Sequence, residues 1–573
     1  MTVYSITKSS GWPPRPAPGY NQPMRFARSI PLLPLAALGW AGCASTHTAS
    51  TPTLTAVTPA TRRVGALSSD ERVRHVLNRL AFGPRPGDEA AVRAIGVERW
   101  IARQLEPDSI DDGDVDTVLA HFPTTSLALA DAAQLYARPA ALRAAPHRDP
   151  TPRLPMTPCA DRSATTLAHL EARDDSLVLT QAERAGSRLL TDLQATKLAR
   201  AVVSRRQLQE VMVDFWENHF SVYSGKGPER YLLLPFDRDV IRPHALGRFH
   251  ELLVAVARSP AMLYYLDNWQ SAAEPERPTL GQRGRGARRG INENFGRELL
   301  ELHTLGVDGG YTQQDVIEVA RAFTGWTIED PERVGRFVFR PELHDAGPKV
   351  VLGDSLPAGR GVEDGEAVLT LLAQHPATAR FIATKLVRRF VSDTPPGGLV
   401  KRAARTFRDS GGDIRAVLRT IFSSREFFSR AAYRAKIKSP FELVASALRG
   451  LGAAADTPPR TAQLVAQLGE PLYGHDAPNG YPETGRPWLG SGAVLGRINL
   501  GLALAAGQAP GVTVSRWLKQ VGVEREPYAR QVDAIVAELL GGPVPAELRA
   551  LVQRGDATTT VGLVLGSPDF QRR

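Results

Sequence analysis

Three carboxylates share one face of a segment that the sequence predicts to be helical. Glu210, Asp214 and Glu217 are spaced i, i+4 and i+7, while His219 lies on the apolar stripe of the same segment. Asp214 and Glu217 are candidate ligands for a hard divalent cation, and Glu217 is a candidate acid–base group. The alternative is a solvated acidic face beside a hydrogen-bonded core histidine.

A second polar segment runs from Asn292 to His303. One predicted face of it carries Asn294, Glu298 and Glu301. Glu293, Arg297 and Glu301 also have the spacing of a salt-bridge ladder. Buried polar groups need partners, so two interpretations stay open. One is a catalytic or ligand-binding cluster, with Glu298 and Glu301 as catalytic groups and Asn292, Asn294 and Arg297 as binding groups. The other is a structural network between helices.

These two segments lack the spacing of a di-iron carboxylate bundle. Such bundles require Glu-x-x-His, whereas the pairs here are Glu217-x-His219 and Glu301-x-His303. Side chains two residues apart on a helix point about 200° away from each other. We therefore assign no metal site and expect no resident cofactor, with a divalent cation as the open alternative.

A third candidate site lies between two strand-like segments, Arg336–Phe339 and Lys349–Leu352, which we expect to pair as a small hairpin. His344, Asp345 and Lys349 fall in or beside the connecting loop, where they have the chemistry for acid–base catalysis. No Gly-x-Ser-x-Gly motif supplies a serine nucleophile. The alternative is a structural turn with a hydrogen-bonded histidine.

A fourth candidate is the loop from Pro478 to Trp488. Its polar and aromatic side chains are Asn479, Tyr481, Glu483 and Trp488. Aromatic rings next to polar groups suit contact with carbohydrate or peptide, and Trp488 is the candidate binding residue. Pro-Asn-Gly-Tyr-Pro is equally typical of a rigid turn that packs on the core.

Helices must position most of these residues. Capping-box patterns at Ser68–Glu71 and Thr312–Asp315 predict two helix starts, and apolar residues recur at helical spacing along most of the chain. The sequence therefore predicts a mainly α fold, a multi-helix orthogonal bundle with a small β-hairpin. We expect this domain to span residues 68–573, with a surface insertion near residues 139–187.

The N-terminus has the pattern of an export signal. Arg25 and Arg28 precede an apolar run that ends at Cys43, and this run is shorter than the ~20 residues that cross a bilayer. Trp40-Ala-Gly-Cys43 resembles a bacterial lipoprotein box, although such boxes usually have Leu where Trp40 stands. We expect lipid on Cys43 and a membrane anchor, with plain secretion as the alternative.

The boundaries follow from this pattern. Residues 1–43 form the predicted signal peptide, and we expect the natural start at Met24, with residues 1–23 as an upstream extension. Residues 44–67 are rich in Ser, Thr, Ala and Pro and form the predicted flexible tether. The expected location is the periplasm or the outer membrane.

Composition narrows the classes of function. The net charge is +10, but 70 basic residues are interspersed with 60 acidic ones, so we expect no nucleic-acid partner. The cysteines are Cys43 and Cys159, which excludes a disulfide framework and a cysteine-based metal cluster.

Several motifs together resemble the bacterial family called domain of unknown function 1800. The motifs are Leu77–Gly83, Phe215–Phe220, Asn292–His303, Gly306–Thr312, Ala322–Trp326, His344–Lys349, Pro478–Pro482, Trp488–Leu489 and Leu565–Phe570. They cover residues 70–573 in order. The resemblance implies a helical and largely exported protein, and members often occur beside exported proteins that resemble alkaline phosphatases or sulfatases. It implies no particular activity.

Two hypotheses remain. In the first, the protein is a non-catalytic binding or assembly protein of the cell envelope, with an exported phosphatase- or sulfatase-like protein as its partner. In the second, it is an envelope hydrolase in which Glu217, Glu298, Glu301 and His344 converge. The sequence leaves open whether the protein is an enzyme. Convergence of the four side chains on one pocket would favour the hydrolase.

Overall fold

The computed structural model describes residues 66–133, 184, 187–273, 290–331, 334–453, 461–508, 511–553 and 555–573. The predictions for the signal peptide, Met24, Cys43 and Cys159 lie outside these residues. So do nearly all of the predicted tether and of the surface insertion. All described residues belong to one contact-defined unit, residues 62–573.

Helices dominate the described chain, as the apolar periodicity predicts. The first group is α1 (Ser69–Arg79), α2 (Asp88–Ile95), α3 (Val97–Gln104), α4 (Gly113–Leu119), α5 (187–203), α6 (Gln207–His219), α7 (Glu229–Pro235), α8 (Arg242–His244), α9 (Phe249–Arg258), α10 (Pro260–Tyr265), α11 (Glu293–Glu298) and α12 (Gln313–Ala322). The second group is α13 (Glu363–Gln374), α14 (Pro376–Phe390), α15 (Gly397–Asp409), α16 (Ile414–Phe422), α17 (Pro440–Gly450), α18 (Ala462–Gln467), α19 (Ser491–Ala505), α20 (Val514–Gln520), α21 (Tyr528–Leu540), α22 (Ala546–Leu551) and α23 (Ala557–Gly566). The capping boxes predicted at Ser68 and Thr312 are both present.

Two of the described helical segments contain a π-helical turn. A π-helical turn at Phe236–Ile241 connects α7 to α8, and another at Leu299–Thr304 extends α11. In the second turn the Thr304 hydroxyl donates to the Leu299 carbonyl at 2.6 Å. Wide turns of this kind re-aim side chains and are frequent at functional sites.

The four strands form two separate antiparallel hairpins. β1 (Trp326–Glu329) pairs with β2 (Arg336–Phe339), and β3 (Lys349–Val351) pairs with β4 (Asp354–Leu356). The mainly α class is thus confirmed, whereas the predicted pairing of Arg336–Phe339 with the Lys349 strand is wrong. Leu352 and Gly353 both have positive φ, 52° and 89°, which reverses the chain in a tight primed turn directly after β3.

α6 is buried on its acidic face as well as on its apolar one. Trp216 has 0% of its surface exposed, and Glu210 and Glu217 only 6% and 7%. The solvated acidic face considered for this helix is therefore absent, and its carboxylates must find partners inside the protein. Among the described helices, none has the length and hydropathy needed to cross a bilayer.

Candidate functional site

A cavity opens beside the second half of α6, and we call it the charged pocket. It offers about 80 Å³ of space to water-sized groups, which is more than one water needs but less than a drug-sized ligand fills. Its described wall carries the carboxylates Asp214, Glu217, Glu442, Glu470 and Glu483. It also carries the cations Lys197, Arg389, Lys436 and Arg573. Acidic and basic side chains are thus nearly equal in number on this wall.

Lys197, on α5, forms the floor of the charged pocket. Its Nζ donates to Glu217 Oε2 at 2.6 Å and lies 3.0 Å from Asp214 Oδ1. Burial alone would lower the pKa of Lys197, but the two carboxylates outweigh it and raise that pKa above its ordinary value. Lys197 therefore stays charged and joins α5 to α6.

Glu217 lies beside a second buried carboxyl. Its Oε1 accepts a hydrogen bond from the Tyr473 hydroxyl at 3.0 Å, and its carboxyl also contacts Asp237 on the first π-helical turn. Burial, opposed by Lys197 and reinforced by Asp237, raises the pKa of Glu217. Although burial opposes it, Arg242 and the contact with Glu217 lower the pKa of Asp237. Of these two carboxyls, Glu217 therefore holds a proton the more tightly.

Asp214 begins a chain of alternating charges that crosses the pocket. Arg389 Nη2 donates to Asp214 Oδ2 at 3.3 Å, and Arg389 Nη1 lies 2.6 Å from Glu442 Oε1. Arg573 Nη2 approaches the same Glu442 oxygen at 2.9 Å. Burial would raise the pKa of Glu442, but Arg573 and Arg389 lower it to about 2. Glu442 is therefore ionised at neutral pH.

Glu470 is the pocket carboxyl without a cation. The backbone N–H of Phe441 donates to Glu470 Oε2 at 2.7 Å, and the Ser439 side chain also bonds this carboxyl. Within the described part of the chain, no Lys, Arg or His reaches it at salt-bridge distance. Burial and the neighbouring Asp214 raise the pKa of Glu470 to about 7. It is the pocket group best suited to exchange a proton near neutral pH.

The Pro478–Trp488 loop forms one wall and is fixed by Asn218. Asn218 Oδ1 accepts the Tyr481 N–H at 2.7 Å, and Asn218 Nδ2 donates to the Tyr481 carbonyl at 3.0 Å. Gly480 has φ +70°, and a Cβ there would lie 2.2 Å from the Asn218 carbonyl oxygen. The predicted rigid turn is therefore present, and glycine is required where it approaches α6.

Three rings follow one another along this wall. The ring centroids of His475 and Tyr481 are 4.8 Å apart, and those of Tyr481 and Trp488 are 6.2 Å apart. Trp488 Nε1 donates to the Pro482 carbonyl at 3.3 Å, which holds the indole in place. The rigid turn is thus present, while contact of these rings with carbohydrate or peptide stays a prediction; Trp488 itself is buried, with 8% of its surface exposed.

The family assignment follows from the whole described domain. The chain belongs to the family described as "Protein of unknown function (DUF1800)". The family model matches residues 75–572, so the resemblance inferred from the motifs is confirmed. No curated protein and no solved structure matches the chain significantly.

The proposed catalytic residues of this DUF1800 chain do not meet in the charged pocket. Of the four, only Glu217 is among the described residues of its wall, together with the candidate binding residues Asp214 and Trp488. Convergence of Glu217 with Glu298, Glu301 and His344 is therefore wrong. The reason is that Glu298 and Glu301 lie on α11 and on the π-helical turn that extends it, whereas His344 is held between the hairpins.

His219 links the two polar segments, but through the core. Its Nε2 donates to the His303 carbonyl at 3.1 Å, with the two rings 6.3 Å apart. Burial and the charge of Lys385 lower the pKa of His219 well below its usual range, and they lower that of His303 to about 3. Both rings are neutral packing groups next to the pocket wall.

The Asn292 segment acts as a helix cap with a polar outer face. Asn292 Oδ1 accepts the Asn294 N–H at 2.9 Å, and its Nδ2 donates to the Leu266 carbonyl at 2.7 Å. Asn294 is exposed. Arg297 lies 3.7 Å from Glu293 and donates to Gln313 Oε1 at 2.8 Å. The first step of the predicted ladder is present.

The second step of that ladder is missing. Glu301 lies on the π-helical turn, where the wider pitch moves it away from Arg297. Its Oε2 accepts the Tyr311 hydroxyl at 3.0 Å. Glu298 is half-buried, and burial and Glu301 raise its pKa.

His344, Asp345 and Lys349 belong to a second buried network, which we call the hairpin cluster together with Asp364 and Arg321. Lys349 Nζ donates to Asp364 Oδ2 at 2.7 Å, and His344 Nε2 lies 3.4 Å from the same oxygen. His344 Nδ1 donates to the Thr324 carbonyl at 2.8 Å. Arg321 Nε donates to Asp345 at 2.7 Å. These contacts favour the structural alternative for His344.

Sequence reasoning missed several pocket residues, since they come from distant segments. They are Lys197, Lys436, Glu442, Glu470, Tyr473 and Arg573. The available signal was Ser439-Pro-Phe-Glu442, a capping box. Nothing local to Lys197 or Arg573 marks them. Among the described residues, no group of three or more His, Cys, Asp or Glu side chains is arranged to hold a metal ion.

Proposed function

We propose that this DUF1800 protein is an exported cell-envelope protein that binds a small polar ligand in the charged pocket. The observation that carries the proposal is the pocket itself, an open cavity with a rigid aromatic wall and a buried polar floor. Wall rigidity reduces the ordering cost of binding. The hairpin cluster has comparable polar residues, but these contact one another.

Export and anchoring are supported by the N-terminal sequence. The run ending at Cys43 has the length and flanks of a signal peptide, and the Ser/Thr/Ala/Pro-rich residues 44–67 would act as a spacer. With lipid on Cys43, the domain is held at the membrane. An exported phosphatase- or sulfatase-like protein is its proposed partner in assembly.

Metabolic labelling with an alkyne fatty acid tests the anchor. We expect the full chain in a bacterial host to incorporate label and to fractionate with the envelope. Cys43→Ser should lose the label and the membrane association, while Cys159→Ser keeps both. An unlabelled wild-type protein recovered from the cytoplasm would refute the export proposal.

Ligand binding is tested by ligand-observed NMR with a library of small polar compounds. We expect hits that Trp488→Ala weakens at least tenfold and that Trp100→Ala leaves unchanged, since Trp100 lies on α3 away from the pocket wall. Circular dichroism checks that both variants fold. Hits that respond equally to the two substitutions, or no hits at all, would contradict a binding role for this pocket.

A hydrolase that uses the same pocket is the second candidate. It is favoured by Glu470, which retains its proton up to near-neutral pH and lies beside the acceptor Asp214. A panel of chromogenic glycosides and esters would then be cleaved with a pH profile that Glu470→Gln abolishes. If the Gln variant binds the hits and wild type turns none of them over, the binding proposal stands alone.

A further inference from the structure

One helix near the C-terminus presents an apolar face to solvent. On α19, Val494, Leu495, Ile498 and Leu502 each keep 36–59% of their surface exposed. Their spacing places them within about 100° of the helix circumference. Leu489, in the short turn directly before the helix, is exposed as well. A helix that is apolar on all sides is normally buried, and an exposed apolar patch marks a site of association.

The buried side of α19 is fixed by the rest of the domain, so the exposed face is part of the fold. A Cβ on Gly501 would lie 2.7 Å from the Gly562 carbonyl oxygen, because the backbones of α19 and α23 are in close contact. Arg497 is the charged residue of α19, and it is buried. It donates to Gln571 Oε1 at 2.8 Å and to the Lys438 carbonyl at 2.9 Å. The helix thus exposes apolar side chains and no charged one.

The chain around this face contains basic residues but no acidic ones. Residues 485–523 include Arg486, Arg497, Arg516 and Lys519 and no Asp or Glu, and α23 has no charged residue. Arg486, Arg516 and Lys519 are exposed. None of the three forms a salt bridge with a described carboxylate. An apolar face with free basic side chains in the same region complements a partner that is apolar inside and anionic at its surface.

A second copy of the chain fits this face less well than a lipid surface does. Stable dimers bury roughly 800 Å² on each partner, which is more than five partly exposed side chains of one helix and its preceding turn supply. Each copy also carries the same basic residues and a net charge of +10, so two copies repel each other. The same charge attracts the chain to anionic lipid.

A bilayer is within reach of the domain if Cys43 carries the proposed lipid. The residues between Cys43 and Ala66, where the described domain begins, span at most roughly 80 Å when extended. A domain held in this way can turn any of its sides to the membrane. Since no described helix has the length and hydropathy to cross a bilayer, α19 can only lie on its surface.

Resting on the proposed export, we infer that the exposed face of α19 docks on an anionic lipid bilayer. Its apolar side chains enter the boundary between headgroups and acyl chains. Arg486, Arg516 and Lys519 lie against the anionic headgroups. This contact is a second attachment beside the proposed lipid on Cys43, and it fixes which side of the domain faces the membrane.

Quenching by brominated lipid tests the contact at α19. The full chain with Cys43→Ser and Cys159→Ser receives one fluorescent thiol label, either at Leu495→Cys or at the control Val307→Cys. Val307 is 70% exposed and lies between the second π-helical turn and α12. The vesicles contain three parts phosphatidylethanolamine and one part phosphatidylglycerol, with plain or brominated acyl chains. We expect the brominated lipid to quench the label at position 495 at least threefold more strongly than the label at position 307.

Serine variants measure how much the face contributes to vesicle binding. Leu495→Ser combined with Ile498→Ser, in the chain with Cys43→Ser, should weaken binding to the same vesicles at least tenfold in a flotation assay. Val307→Ser combined with Val350→Ser removes two equally exposed apolar side chains elsewhere and should leave the affinity unchanged. Circular dichroism checks that both variants fold. The N-terminal segment is identical in all of these chains, so the difference between variants reports on α19.

The basic residues are tested on two kinds of vesicle. Arg486→Gln combined with Lys519→Gln should weaken binding to the phosphatidylglycerol vesicles and leave binding to pure phosphatidylcholine vesicles unchanged, since the latter carry no net charge.

Three outcomes would overturn the inference. The first is equal quenching of the two labels, and the second is vesicle binding that the α19 serine variant does not weaken. The third is a dimer in sedimentation velocity that the same variant abolishes, without quenching at position 495, which would assign the face to a second copy. None of these outcomes bears on lipid at Cys43 or on ligand binding in the charged pocket, because those proposals have their own experiments.

Discussion

The charged pocket and the hairpin cluster are both built from buried ionisable side chains, yet they differ in what surrounds these groups. In the hairpin cluster, Asp364 is contacted by Lys349, His344 and Arg360. In the charged pocket, the pairs stop at an open space, and Glu470 faces it without a cation. Buried ionisable side chains thus stabilise a fold when each of them has its hydrogen-bonding or charged partners. They become a candidate site when one group is left facing a cavity.

The largest effect on stability is expected from a substitution in the hairpin cluster. Asp364→Ala leaves Lys349, with 0% of its side chain exposed, as an uncompensated buried charge. We expect the free energy of unfolding to fall by about 3–5 kcal/mol, as measured by urea denaturation. The double variant Lys349→Met with Asp364→Leu should recover most of this loss. Equal stabilities of the single and double variants would show that the ion pair does not hold the hairpins.

Glu442→Gln tests the charge pairs of the charged pocket. A carboxyl whose pKa falls from 4.5 to about 2 on folding stabilises the protein fully above pH 4.5. That contribution is lost as pH falls from 4.5 towards 2. At pH 7 the free energy of unfolding of the wild type should therefore exceed that of the variant by about 3 kcal/mol. This difference should shrink steadily as the pH falls. A difference that is constant with pH would mean that Arg389 and Arg573 do not depress this pKa.

Glu470→Gln tests the pocket carboxyl without a cation, and here the pH dependence of stability has the opposite sign. Because folding raises the pKa of Glu470 from 4.5 to about 7, the unfolded chain releases this proton first as pH rises. Wild type therefore loses stability between pH 4.5 and 7. The variant should become more stable than wild type by about 2 kcal/mol at pH 8 and match it near pH 4, in thermal or urea unfolding. A variant that is less stable at pH 8 would contradict the assignment of Glu470 as a carboxyl without a cation partner.

The smallest effect belongs to the polar outer face of α11, which serves as a reference for both buried regions. Arg297 contacts Glu293 and Gln313 at the surface, and such pairs contribute little. Arg297→Ala should change the free energy of unfolding by less than about 0.5 kcal/mol. Asn292→Ala, which removes the cap of the same helix, should cost about 1 kcal/mol. A larger loss for Arg297→Ala than for Asn292→Ala would reverse this ranking.

Sequence alone determined the local features of this chain. Helical periodicity, the caps at Ser68 and Thr312, and the family motifs depend on neighbouring residues, so they can be recognised without coordinates. The turn at Pro478–Pro482 was recognised for the same reason. The same local logic failed for the hairpins, because the reversal at Leu352-Gly353 uses a leucine with positive φ, which turn preferences do not indicate.

Tertiary structure decided which polar residues meet. Lys197, Glu217, Glu470 and Arg573 come from separate segments. Only the packing of α5, α6, the loop after α18 and the C-terminal segment places them around one cavity. Periodicity shows that Glu217 and Glu298 leave their helices on polar faces, but it does not show what lies opposite each face. Whether a carboxyl meets an arginine, a lysine or open space depends on distant segments, and that encounter sets its pKa and its use.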